Sequence, residues 1–362
     1  MREHYLDGLR GWAALFVIGS HLGPMFLTHG LLNNVLPFFT DGQLAVYVFF
    51  VLSGYVLSIG FFRTEQRKTV TTLAVRRYPR LTIPILATSL IALLFMKLGW
   101  FSNIPAGQAA SSAWLESFYQ FEGSLSGALQ FGLWDVYMNY NGRTSYNSAL
   151  WTMWIEMLGS MIIFGLLLLC GRNRLMQVII IAAFAYWAAE HNQHLVAFAL
   201  GMLLARCSAL DWIPSSNVAG IGLLTITLPV AMVRYLGDSL TAVSMYAAAI
   251  VAAVLLSPAL QALLSTRLSQ WLGRVSFPLY LTHMLIICSI SSTMYLYFGN
   301  GGPTTPMQTV LIGIVSLAAC LAAARLFLPV EEGSIKAARA FSSRFFHFSR
   351  IGVARWLRPD NT

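Results

Sequence analysis

The chain has 362 residues, of which 57% belong to the set AVILMFWYC and only 10% are charged, and its mean hydropathy is +0.66. A soluble domain carries roughly 25% charged residues, so an assembly of water-exposed globular domains is excluded and an all-α, polytopic membrane bundle is predicted. The residual charge is lopsided, with 23 Lys and Arg against 14 Asp and Glu, and its placement along the chain says more than its total.

Ten segments approach the roughly 20 apolar residues that a membrane helix needs: 9–28, 43–62, 79–98, 149–170, 174–189, 192–207, 217–234, 239–256, 276–298 and 307–329. The run from Leu9 to Leu27 is too long for a signal-peptide core and carries His21, so it is read as the first span rather than a cleaved leader. No internal repeat of clear period supports an inverted-repeat transporter. The four cysteines, Cys170, Cys207, Cys288 and Cys320, are isolated in apolar stretches and read as small hydrophobes rather than a disulfide framework or metal site.

Basic residues mark the cytoplasmic ends of membrane helices. With ten spans and both termini inside, 20 of the 23 Lys and Arg residues fall on the cytoplasmic side, and only Lys97, Arg143 and Arg234 fall outside. The predicted organisation is a membrane domain over 1–331, with a long outer segment at 99–148, and a basic cytoplasmic tail over 332–362 that lies on the anionic leaflet. The outer segment is rich in aromatics, among them Trp100, Trp114, Tyr119 and Trp134. It reads either as an interfacial hairpin or as a platform for a sugar-like acceptor. The basic excess acts as a topological anchor, and no nucleic-acid partner is expected.

Ionisable side chains inside spans cost roughly 2.5–3.5 kcal/mol each and so mark function by default. Arg10 and His21 are eleven residues apart, about three helical turns, which puts both on one face with His21 about 16 Å above Arg10. Glu156 falls about 10 Å and His21 about 14 Å below the outer face by the same rise, so the two are expected to meet, the carboxylate fixing the imidazole's tautomer. Ser53-Gly54 falls near the same level, with Gly54 suited to close helix approach. His283 is placed about 10 Å in from the cytoplasmic side. Arg76, Arg77 and Arg80 cluster at the start of the third span, with Pro79 in its first turn. Arg77 and Arg80 share a helical face and suit phosphate. Taken alone the arginine cluster is also what topological anchoring produces.

The motifs in chain order resemble those of the acyltransferase 3 membrane family. Leu6-Asp7-Gly8-Leu9-Arg10-Gly11-Trp12 followed by Ser20-His21 is similar to its first-helix signature of a basic residue, ten residues and a histidine. Phe49 to Tyr55, Arg77-Tyr78-Pro79-Arg80, Trp151 to Glu156 and Ser276 to His283 resemble its later elements, with Thr152 and Met153 where Ser and Leu are commoner. The resemblance spans residues 6 to about 283. It implies O-acyl transfer, usually of acetyl, from acyl-coenzyme A to a hydroxyl of a carbohydrate such as an exopolysaccharide, lipopolysaccharide or lipid-linked glycan, in a stand-alone form without an esterase-like extension and in the bacterial inner membrane. It also implies a catalytic role for His21 and donor binding by Arg10, Arg77 and Arg80. Glu156 is assigned with His21, and Ser53 and Trp151 are assigned to substrate binding. Acetyl-CoA is expected as a donor substrate rather than a resident cofactor, and no metal is expected. The alternatives are a proton-coupled transporter, in which His21 and Glu156 relay protons, and a non-enzymatic member of a glycan-assembly complex.

Overall fold

The computed structural model describes residues 3–26, 41–171, 173–233, 239–300 and 302–356. Arg2, Arg172, Arg234 and Arg358, which entered the prediction of topology, lie outside them. The described residues form helices and connecting segments without strands. A helix overlaps each predicted segment: α1 (His4–Phe26), α2 (Gly42–Thr64), α3 (Arg67–Leu98), α4 (Met153–Cys170), α5 (Arg174–His191), α6 (His194–Ala209), α7 (Asn217–Val233), α8 (Leu240–Leu256), α9 (Pro258–Leu264), α10 (Arg267–Ile286) and α11 (Pro306–Trp356). Among the described residues five helices are long and apolar enough to cross a membrane, or six if α8 and α9, bent by 98°, form one broken span. The count of helices is therefore not a count of crossings. The first helix misses this criterion while carrying Asp7, Arg10 and His21, the residues that lower its hydropathy.

Helix ends extend past the apolar stretches because backbone hydrogen bonding continues where hydropathy stops. The third helix begins at Arg67, so Pro79 lies well inside it rather than in its first turn. The tenth begins at Arg267, nine residues before the predicted span, and continues through a π-helical turn at Ile287–Ser291 to Gly299. The last helix runs unbroken for 51 residues through Pro329 into the basic tail. There Ser342 is buried and accepts a 2.8 Å hydrogen bond from Arg76 Nε, which joins the tail helix to α3.

Two close approaches set the geometry of the bundle. Where α1 crosses α10, a Cβ on Gly11 would lie 2.5 Å from the Gly273 amide nitrogen, so only glycine lets these backbones meet. Where α2 crosses α6, a Cβ on Gly54 would overlap the Phe198 carbonyl, and one on Gly201 would overlap that of Val51. Gly54 thus has the packing role its position suggested. Around this second crossing Tyr47, Phe50, Tyr55 and Phe198 form a fully buried aromatic core.

The outer segment folds as a packed cap. Phe101 and Tyr119 stack with centroids 3.9 Å apart, Asn103 Nδ2 donates to the carbonyls of Leu115 and Phe118, and Leu115, Val136 and Tyr146 are buried. Burial raises the Tyr119 phenol well above its ordinary pKa, and as a neutral group it donates to the Tyr146 carbonyl. The cap is tied to the bundle by the Ser102 amide on the Cys288 carbonyl, at 2.9 Å, and by Asn147 Nδ2 on the Leu281 carbonyl, at 2.7 Å. These ties hold residues 101–147 as a compact cap against the helices.

Candidate active site

A cavity of about 170 Å³ lies among α1, α2, α3, α4 and α10. Arg10, Arg77 and Arg80 line it together with Ser53 and Glu156. Glu156 sits in the first turn of α4, where the partial positive charge of the helix N-terminus favours a carboxylate. Its Oε1 accepts from Ser53 Oγ at 2.6 Å and forms a short ion pair with Arg77 Nη2. The Arg77 and Glu156 side chains are only 11% and 12% exposed. Arg77 Nε is buried without a hydrogen-bond partner among the described residues. Arg80 is exposed at the same cavity, whereas Arg76 turns away to Ser342.

Tyr280 also lines the cavity, whereas His21 and His283 do not. Its hydroxyl donates to the Ala149 carbonyl and lies 2.8 Å from Thr152 Oγ1, which holds the ring against the start of α4. Behind it, with ring centroids 6.2 Å apart, is His283, and His283 Nε2 lies 3.0 Å from His21 Nδ1. The cap supplies the next layer, since the Trp114 ring stacks on His21 at 5.3 Å. Trp114 is itself 43% exposed and is braced edge-on by Phe118 at 4.6 Å.

The arrangement separates residues that the sequence reading paired. Glu156 holds Arg77 and Ser53, and the side chain that meets His21 is His283. The Ser53 hydroxyl proton is committed to Glu156 in this arrangement. Trp151 lies outside the cavity, exposed, with its ring 6.0 Å from that of His194. His194 in turn shares a 2.6 Å hydrogen bond with the buried Tyr47 hydroxyl. The sequence marks His283 as an intramembrane ionisable group and Trp114 as part of the aromatic segment, but it places neither beside His21, and Tyr280 enters only within the late-helix motif. A usable signal existed for His283, because Gly11 and Gly273 are each followed ten residues later by a histidine.

Residues 3–325 match the acyltransferase domain family Acyl_transf_3. The chain belongs to acyltransferase family 3. The match takes in the helices that supply Arg10, His21, Arg77, Glu156 and His283, so the site just described is built almost wholly from the family's domain. Among curated proteins, the O-acetyltransferase PaAT-1 of Phomopsis amygdali is 24% identical over 398 aligned residues, covering 86% of this chain and 78% of that protein. No solved structure matches the chain. This acyltransferase 3 protein is thus a helical membrane protein with an acyltransferase domain. Its cysteines are free, and among the described residues no group of three or more His, Cys, Asp and Glu side chains is placed to hold a metal.

Proposed function

We propose that the protein is an integral-membrane O-acetyltransferase of the bacterial inner membrane, which moves an acetyl group from cytoplasmic acetyl-CoA to a hydroxyl of a carbohydrate acceptor. The observation that carries this reading is the arginine-lined cavity that runs to Tyr280, with the His21–His283 pair behind it. Guanidinium groups bind phosphate through charge-assisted, bidentate hydrogen bonds. Arg10, Arg77 and Arg80 accordingly hold the phosphates of the donor. A volume of about 170 Å³ is below the usual 300–1,000 Å³ of a full ligand pocket, and it suits a slender pantetheine arm with the nucleotide left at the mouth.

His21 acts as general base in this scheme. Its imidazole takes the proton of the acceptor hydroxyl as that oxygen attacks the thioester carbonyl. The tetrahedral intermediate then expels the coenzyme A thiolate, which leaves as the thiol on taking the proton back from His21. Such proton transfer contributes typically 10²–10⁴-fold. Glu156 has the separate task of fixing Arg77 in the cavity wall. The exposed Trp114 ring beside His21 supports a carbohydrate acceptor arriving through the cap, because an aromatic face packs on the apolar face of a sugar ring.

The test is transfer of isotopically labelled acetyl from acetyl-CoA by the protein in membranes, together with mass spectrometry of surface glycans from cells with and without the gene. The reading predicts acetyl-CoA-dependent, His21-dependent modification of a glycan. A His21→Ala variant that transfers at near the normal rate overturns the chemistry. Solute uptake without any acetyl-CoA-dependent product is the result expected of a transporter.

A further inference from the structure

The contact between His21 and His283 has only one arrangement of protons when both imidazoles are neutral. His283 is fully buried on α10. Its Nδ1 lies 2.9 Å from the Tyr280 carbonyl oxygen and 3.1 Å from that of Leu279. Carbonyl oxygens only accept hydrogen bonds, so Nδ1 of His283 carries the proton and donates to them. In a neutral imidazole the other nitrogen is then a bare acceptor. That nitrogen, Nε2, lies 3.0 Å from His21 Nδ1, which must therefore be the donor. The remaining nitrogen of His21, Nε2, is left without a proton.

The ring geometry agrees. The two rings are inclined by 4° with centroids 5.1 Å apart. A nitrogen separation of 3.0 Å is below the roughly 3.5 Å at which ring atoms touch face to face, so the near-parallel rings meet edge to edge, as an in-plane N–H···N bond requires. Turning either ring over would put a carbon at this contact. For His283 it would also put a carbon against the two carbonyls, so the hydrogen-bond network fixes both ring orientations.

We infer that His283 is a positioning residue that locks His21 in the tautomer protonated on Nδ1, leaving Nε2 as the base that receives the acceptor's proton. The inference rests on the proposed role of His21 and adds to it the atom that acts and the group that prepares it. A carboxylate is the familiar partner for a catalytic histidine. Here the task falls to a second histidine whose own tautomer is fixed by two backbone carbonyls of the preceding turn of α10. When His21 gains a proton on Nε2, its Nδ1–H remains hydrogen-bonded to His283 Nε2, so the charge arises beside an acceptor already in place.

The experiment has a spectroscopic and a kinetic arm on the full-length protein in lipid. With ring-¹⁵N histidine, and with the His21 signals assigned by difference against His21→Gln, solid-state NMR at neutral pH is expected to show His21 protonated on Nδ1 and bare on Nε2. His283→Gln places an amide oxygen where Nε2 stood and keeps the acceptor. It is expected to retain the tautomer and keep kcat within about tenfold. His283→Leu removes the acceptor and is expected to give mixed His21 tautomers, a kcat lower by about 10²–10⁴-fold and an unchanged KM for acetyl-CoA. Finding His21 protonated on Nε2 in the unaltered protein overturns the inference, as does an equal loss of kcat in the Gln and Leu variants. The wild-type spectrum decides the tautomer even if the Leu variant fails to fold. If His21→Ala keeps full transfer while the Nδ1–H tautomer is observed, the acyltransferase chemistry assigned to His21 fails and the pairing stands.

Discussion

Gly11 and Gly273 face each other where α1 crosses α10, with the same sequence offset, 262 residues, as His21 and His283 ten residues farther along both helices. The two helices therefore run parallel and in register from a backbone contact to a histidine contact. Ten residues span about 15 Å of helix axis, so the glycine pair acts at a distance on the geometry of the imidazole pair. A β-carbon at Gly273 would overlap the Asp7 carbonyl, and one at Gly11 would overlap the Gly273 backbone.

Substituting Gly273→Leu is accordingly expected to push α1 from α10 and to lower kcat by about 10²-fold, the usual effect of a 1 Å misplacement at a reacting centre. Steady-state transfer assays check this, with thermal unfolding to show that the bundle persists. Retained kcat would mean that the crossing does not set the histidine contact.

The buried Arg77–Glu156 pair predicts strong non-additivity. Removing one member of a buried ion pair leaves an uncompensated charge and costs about 3–5 kcal/mol. Arg77→Met and Glu156→Gln are each expected to destabilise the protein, and the double variant is expected to recover much of the loss. Thermal unfolding in lipid nanodiscs across the four proteins measures the coupling, and additive losses would show that the charges do not depend on each other.

Arg10 and Arg80 predict a donor-binding effect separate from chemistry. Hydrogen bonds to charged groups contribute about 1.5–3 kcal/mol. Solvent screening at the exposed Arg80 reduces this, so each alanine variant is expected to raise KM for acetyl-CoA by about tenfold with little change in kcat. Initial rates at varied donor concentration and ionic strength decide it. A fall in kcat with constant KM would move these arginines from donor binding to the chemical step.

Trp114 predicts the converse. Aromatic contacts contribute about 0.5–1.5 kcal/mol beyond burial, so Trp114→Ala is expected to raise KM for the acceptor several-fold and leave KM for acetyl-CoA unchanged. Competition kinetics with both substrates varied separates the two. An effect confined to the donor would place the acceptor elsewhere.

Much of this architecture was legible because hydropathy acts locally. Helices occur at each predicted segment, and Arg10, Ser53, Arg77, Arg80 and Glu156 converge on one cavity. Depth was estimated from apolar boundaries, however, and it supplies only one coordinate. His21 and Glu156 were matched in height, but height does not tell which helix faces which, and the bundle sets Glu156 against α3 and His21 against α10. His283 was set about 6 Å below His21 by the apolar boundaries, yet the two imidazoles touch. The apolar stretch begins nine residues into a helix that starts at Arg267 and so does not give its register against α1. The cap was the least legible part, since its order comes from long-range contacts such as Phe101 on Tyr119 and Asn147 on Leu281, which have no periodic signature.

Trp114 lying over His21 has a bearing on selectivity between acceptors. Water is also a hydroxyl compound and is far more abundant than any glycan. A base left open beside a loaded thioester would spend the donor on hydrolysis. With an indole over the imidazole, a molecule that wins the position beside His21 must displace or slide along an aromatic face. Under the proposed transfer to a glycan, a broad sugar ring would gain from that contact and a single water would not, so the indole would slow hydrolysis of the donor.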